Sequence, residues 1–360
     1  MVPQLGQEAP LPPLTLPNLL LGQRATGFSQ LCHWCPRRCR PLTCTVLDHF
    51  DRWQPADVLF NRMDQFSRPS LRKAVSELAK YSLLQRSDRR QSATESALAA
   101  WQYWNPAAGF FHLSTKDMRY TFDPVEEESY LRRWAQKFPM PSSTKHYPRA
   151  RKFPLLAPNT AGEFPNVLLA RRTWRQFSQE PVELCTLSTL LGLTFGIQQW
   201  VDFLGLGRLP LKTSPSGGAR HPIEAYVLAL RVVGLHRGLY HYAPDSHCLE
   251  LLKPGASSQQ VIRLLAGQSW YGSVAALVLM TAVFPRDQWK YQYPRAYRAV
   301  LLDAGHVCQT FCLVATWLGL APFCSMALAD SEAEKIVGVD GVTESVIYAA
   351  GVGKQPSGAQ

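Results

Sequence analysis

The chain has 360 residues, 46% of them hydrophobic, and carries a formal net charge of +11. This length and composition exclude a wholly disordered chain and allow two domains with separate cores. Because no stretch of about 20 apolar residues lacks charges, no membrane span is expected, and the positive charge suits anionic partners such as phosphates or acidic peptides.

The nine cysteines are an odd number, which does not suit a complete disulfide framework. Cys248, Cys308, Cys312 and Cys324 lie within apolar runs, where they are expected to be small buried hydrophobic residues. This usage favours a reducing compartment, so the protein is expected in the cytoplasm.

Residues 1–45 show no clear periodicity and are expected to form a disordered leader. They contain a C-x-x-C pair that could begin a zinc site, but the second, well-separated ligand pair of ordinary zinc folds is missing. We therefore predict no metal site there. The cysteines concerned are Cys32, Cys35, Cys39 and Cys44.

Residues 46–150 are predicted to form a winged-helix-like module and a linker. Residues 67–70 are typical of a helix start, with a serine cap and an early proline, and apolar residues follow at helical spacing between Leu71 and Tyr81. Such a module can hold a peptide along a strand edge. Nucleic-acid binding is not expected, because a dense basic stripe is missing. Aromatic residues at 101–112 are expected to pack between the two domains, with a substrate entry as the alternative.

The second domain is predicted to span residues 151–360, and its first chemical element is an arginine cluster in residues 171–177. Arginine binds phosphate through two parallel hydrogen bonds and stays charged, and a threonine hydroxyl can add another hydrogen bond. The candidate phosphate ligands are Arg171, Arg172, Thr173 and Arg175.

A glycine loop occupies residues 214–222, with the sequence SPSGGARHP. Two adjacent glycines let the backbone pass close to a flat ligand, because neither has a Cβ. The loop opens into an apolar run at residues 225–233, which predicts a buried strand. Ser216, Gly217 and Gly218 are candidates for the floor beneath a planar cofactor, and a simple turn is the alternative.

Further strands and a long helix are predicted after this loop. A hairpin is expected at residues 238–252 and a central strand at 274–283. A helix is expected at residues 299–318, followed by a strand at 345–350 and a turn at 351–353.

Lys290 and Tyr291 follow the central strand and are the candidate catalytic pair. A cation beside a phenol stabilises the phenolate and makes it a better proton acceptor, while the alternative is an aromatic, basic surface loop. On the long helix, Asp303 and His306 are one turn apart, and His306 is interpreted as a structural histidine held by a carboxylate.

Three motifs occur in order along the second domain. They are RRTxRxF from Arg171, SxSGGARHP from Ser214 and DAGHxxQ from Asp303. Together they resemble the nitroreductase superfamily and, within it, the SagB-type dehydrogenases, which include azoline oxidases. The resemblance covers residues 151–354. It implies an α+β fold, in which a mostly antiparallel sheet is flanked by helices, and a homodimer that binds FMN at the subunit interface.

The resemblance also implies roles for individual residues. The set implied for the phosphate and ribityl chain of FMN is Arg171, Arg172, Thr173 and Arg175. The set implied for the isoalloxazine ring is Ser216, Gly217 and Gly218. Lys290 and Tyr291 match a Lys-Tyr pair that removes a proton from the substrate.

The implied function is oxidation of azolines in a modified precursor peptide to azoles, with hydride transfer to FMN and oxygen as the final acceptor. A complex with a cyclodehydratase is the implied assembly. Two alternatives use the same fold: dehydrogenation of an aminoacyl or peptidyl intermediate in a non-azole pathway, and NAD(P)H-dependent reduction of nitro compounds or quinones. A third alternative is a non-catalytic scaffold that binds peptide.

Overall fold

The computed structural model describes most of the chain after residue 55. The described residues are 56–80, 103–120, 123–138, 140–145 and 151–356, with the single residues Leu42, Val46, His49, Leu84, Trp101, Arg149 and Gly358. The predicted leader with its four cysteines, and the expected wing after residue 80, lie outside the described residues apart from those single positions.

Helices and strands are numbered here in chain order. The helices are α1 (Ala56–Arg62), α2 (Arg68–Lys80), α3 (Asn105–Ser114), α4 (Pro124–Lys137), α5 (Glu163–Ala170), α6 (Leu184–Phe195), α7 (Ser258–Leu264), α8 (Phe284–Lys290), α9 (Ala296–Trp317) and α10 (Asp330–Val337). The strands are β1 (Val182–Glu183), β2 (Gln199–Asp202), β3 (Arg208–Leu211), β4 (Ile223–Ala229), β5 (Val232–Val233), β6 (Gly238–Ala243), β7 (Cys248–Pro254), β8 (Ala276–Val283), β9 (Leu320–Ser325) and β10 (Glu344–Lys354).

Six strands form the central sheet in the order β7-β6-β4-β8-β10-β9, and every neighbouring pair is antiparallel. The inner strand β8 is buried along almost its whole length, as expected for a strand covered on both faces. Outside this sheet, β1 and β5 form a short parallel pair and β2 and β3 form a hairpin. The predicted antiparallel sheet is therefore confirmed.

Helices cover both faces of the sheet. On one face, Val278 of β8 packs in the same core as Val300 and Phe311 of α9, and α6 joins them. On the other face, Leu277 and Leu279 pack in a second core with α7 and α10. Since successive residues of a strand point to opposite faces, β8 contributes to both cores. The predicted α+β fold, with a sheet between helices, is confirmed.

Two strand predictions need correction. The apolar run at 225–233 is not one strand, because the amides of Leu230 and Arg231 both donate to the carbonyl of Ala275 and the chain turns after β4. Residues 351–353 are not a turn but lie within β10. The ring of Phe323 lies where a Cβ of Gly351 would be, so this glycine allows ring packing against a strand rather than a reversal of the chain.

The cysteines also differ from expectation in part. Cys308 and Cys312 are buried, as predicted. Cys248 is exposed, because it begins the edge strand β7, whose residues are mostly exposed. An apolar neighbourhood in sequence therefore does not ensure burial at a sheet edge.

The N-terminal helices α1 and α2 enclose a small apolar core that includes Leu59, Leu71 and Leu78. Helix α2 begins at Arg68, and the hydroxyl of Ser67 accepts a hydrogen bond from the amide of Ser70 at 3.4 Å. The predicted helix start is therefore confirmed. Two helices alone do not define a winged helix, which stays a prediction.

The aromatic residues around α3 pack against the second domain. The indole of Trp101 lies 4.9 Å from the ring of Phe284 and stacks on His112 at 5.2 Å, measured between ring centroids. His112 contacts the hydroxyl of Tyr297 at 3.0 Å, and burial lowers the pKa of His112 to about 4. This cluster therefore braces the start of α8 and the start of α9 within the core of the sheet, and packing between two domains stays a prediction.

By length and composition, α9 is the one helix among the described residues that could cross a membrane. Its buried stripe, however, packs in the core against the sheet. This is the arrangement of a core helix, and the same helix carries the residues that hold the glycine loop.

Candidate active site

The glycine loop is tied to α9 through Asp303. The hydroxyl of Ser216 donates to Oδ2 of Asp303 at 2.5 Å, and the amide of Gly217 donates to Oδ1 at 3.3 Å. The Ser216 hydroxyl also accepts from the amide of His221 at 2.8 Å. Burial raises the pKa of Asp303, although these hydrogen bonds oppose the effect. The Ser216 side chain therefore holds the loop in shape, and the loop backbone remains to face a ligand.

Two further contacts fasten the loop along the same face of α9. The hydroxyls of Ser214 and Thr310 are 2.7 Å apart, and Nδ1 of His306 lies 3.3 Å from the carbonyl oxygen of Pro215. His306 is thus a structural histidine, but its partner is a backbone carbonyl rather than the predicted carboxylate. The reason is that Asp303 is already engaged by the loop.

Lys290 and Tyr291 lie directly against Gly218. A Cβ on Gly218 would lie 2.7 Å from Nζ of Lys290 and would overlap the hydroxyl of Tyr291. Gly218 also has φ +62°, a conformation that favours glycine. Folding therefore brings together two elements that are far apart along the chain. The lysine ammonium also sits 5.3 Å from the Tyr291 ring and 5.1 Å from that of Phe203.

The pair is held from behind by its own helix and by α3. The amide of Tyr291 donates to the carbonyl of Asp287 at 2.8 Å, and its carbonyl accepts from the indole of Trp104 at 2.9 Å. On the solvent side, the guanidinium of Arg220 lies 5.0 Å from the ring of Trp289. Phe203, between β2 and β3, also meets Trp289 edge to face. Both faces of this segment are therefore positioned by packing.

A charged network supports the loop where it enters β4. Glu224 pairs with Arg286 at 2.5 Å and with His241 at 3.0 Å, and Arg286 donates to the carbonyl of His221 at 2.9 Å. Burial acts to raise the pKa of Glu224, but hydrogen bonds from His241 and Arg286 outweigh it and hold the pKa below its ordinary value. The hydrogen bond to Glu224 is the main cause that raises the pKa of His241 to about 9.

Two basic groups under the loop are held towards their neutral forms. Burial lowers the pKa of Lys212 to about 8, and burial with the charges of Lys212 and Arg286 lowers the pKa of His221 to about 4. Both line a small cavity with Ser216 and Asp303. Near pH 7 the His221 imidazole is therefore neutral, whereas the Lys212 amine, with a pKa of about 8, still carries most of its positive charge.

Asp287 was not predicted from the sequence. Its side chain is fully buried on α8, and neither carboxylate oxygen has a hydrogen-bond partner among the described residues. Burial, together with the charge of Asp303, raises the pKa of Asp287 to about 7. Asp287 precedes Lys290 by three residues, so a helix would place both on one face, and this spacing could have marked Asp287 as a candidate. The sequence alone does not reveal that its carboxyl is buried.

The arginine cluster lies elsewhere, between α5 and β9. The amide of Trp174 donates to the carbonyl of Pro322 at 3.0 Å, which fixes the cluster beside the start of β9. Arg172 donates to the carbonyls of Leu169 and Arg171, at 2.6 and 2.8 Å. The described residues provide no ion pair for the cluster's guanidiniums, so its positive charge is uncompensated within this part of the chain. Arg171 is half-buried, whereas Arg172, Thr173 and Arg175 are exposed.

The two predicted sets of cofactor ligands lie at opposite ends of the sheet. The loop enters β4 at Ile223, which is in register with the end of β8 and the start of β10. The arginine cluster is anchored at Pro322, opposite Val352 near the end of β10. Six residue steps of β8, from Ala282 to Ala276, separate these levels, or about 20 Å. One chain therefore joins Ser216, Gly217 and Gly218 to the Lys-Tyr pair but not to the arginines.

Each set by itself suits a part of FMN. The arginine cluster offers guanidiniums without an acidic partner among the described residues, and guanidiniums are the groups that grip a phosphate. The loop offers a surface without Cβ atoms at the point where Lys290 and Tyr291 meet it, and such a cradle accepts a flat ring. A five-carbon ribityl chain is much shorter than the separation between these two levels of the sheet, so the two sets do not surround one small ligand within this chain.

The model of the Nitroreductase family matches residues 168–354, which is just over half of the chain, and the chain belongs to this family. MJ1384 of Methanocaldococcus jannaschii, named as a nitroreductase, is 31% identical over 172 residues, covering 48% of this chain and 82% of that protein. Trifolitoxin-processing protein TfxB of Rhizobium leguminosarum bv. trifolii is 29% identical over 201 residues, or 54% of each chain.

Microcin B17-processing protein McbC of Escherichia coli is 31% identical over 132 residues, covering 35% of this chain and 48% of McbC. The chain thus spans about half the length of these peptide-processing relatives. A solved structure of the E. coli microcin synthetase McbBCD complex with truncated pro-MccB17 bound is similar in fold. The TM-score is 0.50 at 21% identity, over 75% of this chain and all of that one. These relatives are consistent with the SagB-type dehydrogenases that the motifs resemble.

Proposed function

We propose that this protein is an FMN-dependent dehydrogenase that oxidises azoline rings in a modified precursor peptide to azoles. The observation that carries the proposal is the contact of Lys290 and Tyr291 with Gly218 of the loop. A reductase that receives hydride from a pyridine nucleotide does not require a proton-abstracting pair beside the flavin floor. The names of TfxB and McbC, which place both in peptide processing, support a peptide substrate.

The residues of this chain would divide the work by their positions. The loop backbone at Gly217 and Gly218 would support the isoalloxazine ring, and the arginine cluster would hold the phosphate. Tyr291 would take the proton from the ring carbon of the azoline through its hydroxyl, and Lys290 would stabilise the phenolate. When bound, FMN supplies the acceptor for the hydride and passes the electrons to oxygen. The substrate thereby loses one proton and one hydride, which gives the aromatic azole.

The same arrangement favours a homodimer. Helices α4 and α5 have no buried residue, and Leu155 and Leu156 are 94% and 95% exposed. Apolar surface of this extent is usually covered by a partner. A second copy would cover α4, α5 and the exposed leucines between them. It would also bring its arginine cluster to the glycine loop of the first copy, which would complete two equivalent sites. The peptide substrate and a cyclodehydratase would form the larger assembly, by analogy with the McbBCD complex.

The proposal is tested by anaerobic mixing of the FMN-loaded protein with a thiazoline-containing peptide. Bleaching of the flavin absorbance, with loss of two hydrogens from the peptide by mass spectrometry, is the expected result. Bleaching by NADPH, followed by reduction of a nitroarene and no reaction with the thiazoline, would instead identify a reductase. If the protein retains no flavin after loading and desalting, neither oxidoreductase function holds and a scaffold role is favoured.

A further inference from the structure

Three cysteines converge inside the second domain, away from the glycine loop. Cys308 and Cys312 lie one turn apart on α9, and Cys324 lies on β9. Their three sulfur atoms are all within 4.8 Å of one another. Cys308 and Cys312 are buried, and Cys324 is half-buried, so the cluster has one side that is reachable from outside. The sequence places Cys324 twelve positions after Cys312, so its approach to the helix pair is a result of folding.

The separation of the sulfurs suits a metal ion. A metal that binds three thiolates at about 2.3 Å places those sulfurs about 4 Å apart, whether the site is planar or tetrahedral. Sulfurs within 4.8 Å of one another need side-chain shifts of less than about 1 Å to reach that geometry. Two neighbouring elements of the core, α9 and β9, hold the ligands, so the arrangement is formed by the fold itself.

The surroundings resemble those of a metal site in two further respects. The hydroxyl of Tyr348 donates to Sγ of Cys324 at 3.4 Å, and such a hydrogen bond to a ligand orients it and tunes its affinity. Arg171 is close enough for its positive charge to act on Cys312 and Cys324. A nearby cation offsets the excess negative charge of three thiolates around one metal ion.

We propose that Cys308, Cys312 and Cys324 bind one thiophilic metal ion of closed-shell type, zinc(II) or copper(I). An all-sulfur ligand set excludes magnesium and calcium, which require oxygen ligands. Among the described residues, no further cysteine, histidine or carboxylate joins the group. Copper(I) accepts three sulfurs alone, whereas zinc(II) takes a fourth ligand, such as water on the exposed side of Cys324. None of the three ligands is a residue assigned to the flavin or to the oxidation reaction, and Arg171 is, in the described part of the chain, the one neighbour shared with the proposed phosphate set.

The experiment uses the full chain with its other six cysteines replaced by serine. Those are Cys32, Cys35, Cys39, Cys44, Cys185 and Cys248, four in the leader and two exposed. Without oxygen, the reduced protein is titrated with cobalt(II), and a sulfur-to-cobalt charge-transfer band is expected to saturate at one equivalent. Zinc(II) should abolish the band, and copper(I) supplied as a chelator complex should be tested in parallel. The coordination number separates the two ions, with three sulfurs alone for copper(I) and a fourth ligand for zinc(II).

Variants and a direct measurement decide whether the triad is the site. Cys312→Ser and Cys324→Ser should each weaken binding more than about 100-fold, and Tyr348→Phe, which keeps all three sulfurs, about 10-fold or more. X-ray absorption of the metal-loaded chain should show three sulfur neighbours, a result that does not depend on any variant folding. No charge-transfer band, binding unchanged in Cys312→Ser, or a shell without sulfur would overturn the proposal and leave the cysteines as core packing alone.

Discussion

The two ends of the central sheet differ in how far the chain completes them. At the end where β4 begins, the glycine loop is bonded to Asp303 and rests against Lys290 and Tyr291. At the other end, the guanidiniums of Arg171 and Arg175 have no acidic partner among the described residues. Folding alone organises the first end, whereas the second end presents positive charge without an acidic partner in the described part of the chain. Under the proposed function, this difference would separate residues that act in the chemistry from residues that retain the cofactor.

The largest expected effect on turnover is at the end of the sheet that carries the glycine loop and the Lys-Tyr pair, called here the complete end. Tyr291→Phe removes the hydroxyl proposed to take the proton, and general base catalysis contributes about 10²–10⁴-fold, so turnover should fall by that factor. Flavin retention should not change, because the hydroxyl does not hold the phosphate. The measurement is single-turnover flavin bleaching with the azoline peptide. Tyr293→Phe, two residues on and half exposed, is the matched control and should remain active. Equal rates in wild type and Tyr291→Phe would exclude this tyrosine from the mechanism.

The opposite pattern is expected at the arginine end. Each charge-assisted hydrogen bond to phosphate contributes about 1.5–3 kcal/mol, so Arg171→Ala or Arg175→Ala should weaken FMN binding by about 10–100-fold. Turnover at saturating FMN should change little. Arg263→Ala, which removes an exposed ion pair with Glu332, is the control and should bind normally. Binding is measured by quenching of flavin fluorescence. Tight binding in the variant lacking both arginines would show that the phosphate lies elsewhere.

Combining an arginine variant with the Tyr291→Phe variant tests whether the two ends of the sheet meet across a dimer interface. Differently tagged Arg171→Ala/Arg175→Ala and Tyr291→Phe chains are produced together at a limiting FMN concentration. If each site takes arginines from one copy and the tyrosine from the other, a mixed dimer has one intact site. About a quarter of wild-type activity should then return in a random mixture. Activity no higher than that of the separate variants would place both sets in one subunit.

A smaller effect is expected at the glycine that the pair contacts. A Cβ at Gly218 would collide with Lys290 and Tyr291, and its φ of +62° costs any other residue about 1 kcal/mol. Gly218→Ala should therefore displace the pair and lower turnover by about 10-fold, which is about 1.4 kcal/mol on the barrier. Gly205 also has a positive φ, +69°, but has open space around it, so it separates the cost of the backbone conformation from the cost of the collision. Gly205→Ala should lose similar stability but keep activity, and equal losses of activity would refute the contact argument.

Local sequence patterns predicted most helices and strands of this molecule. The features that they missed depend on contacts between residues far apart in the sequence. The apolar period of α9 and the continuous run of β8 identify these elements, because each pattern reflects burial of that element alone. The glycines at 351 and 353 misled the prediction, since they serve rings from other segments rather than a turn. The adjacent glycines and the adjacent lysine and tyrosine marked the loop and the Lys-Tyr pair as candidates, and only the fold shows that they touch. The separation of the arginines also follows from strand register, which no local pattern contains.

The smallest effect concerns the buried carboxyl of Asp287 beneath the complete end. Its folded pKa is about 7 against an ordinary value of 3.8, so the folded state binds the proton more tightly than the unfolded state. The contribution of this carboxyl to stability should therefore fall as pH rises from about 4 to about 7, while His112 and His221, whose pKa values are lowered to about 4, act in the opposite direction, so the effect is read from the difference between wild type and an Asp287 variant. Asp287→Asn mimics the protonated carboxyl and should be more stable than wild type at pH 8 by about 1–3 kcal/mol, with little difference at pH 4.

Urea unfolding of both proteins across this pH range provides the measurement. The exposed carboxyl of Asp64 provides the control, and Asp64→Asn should follow the wild-type curve. If Asp287→Asn loses stability at pH 8 instead, the carboxylate must have a charged partner in solution. That outcome would indicate that a cation is bound beside Asp287, beneath the glycine loop.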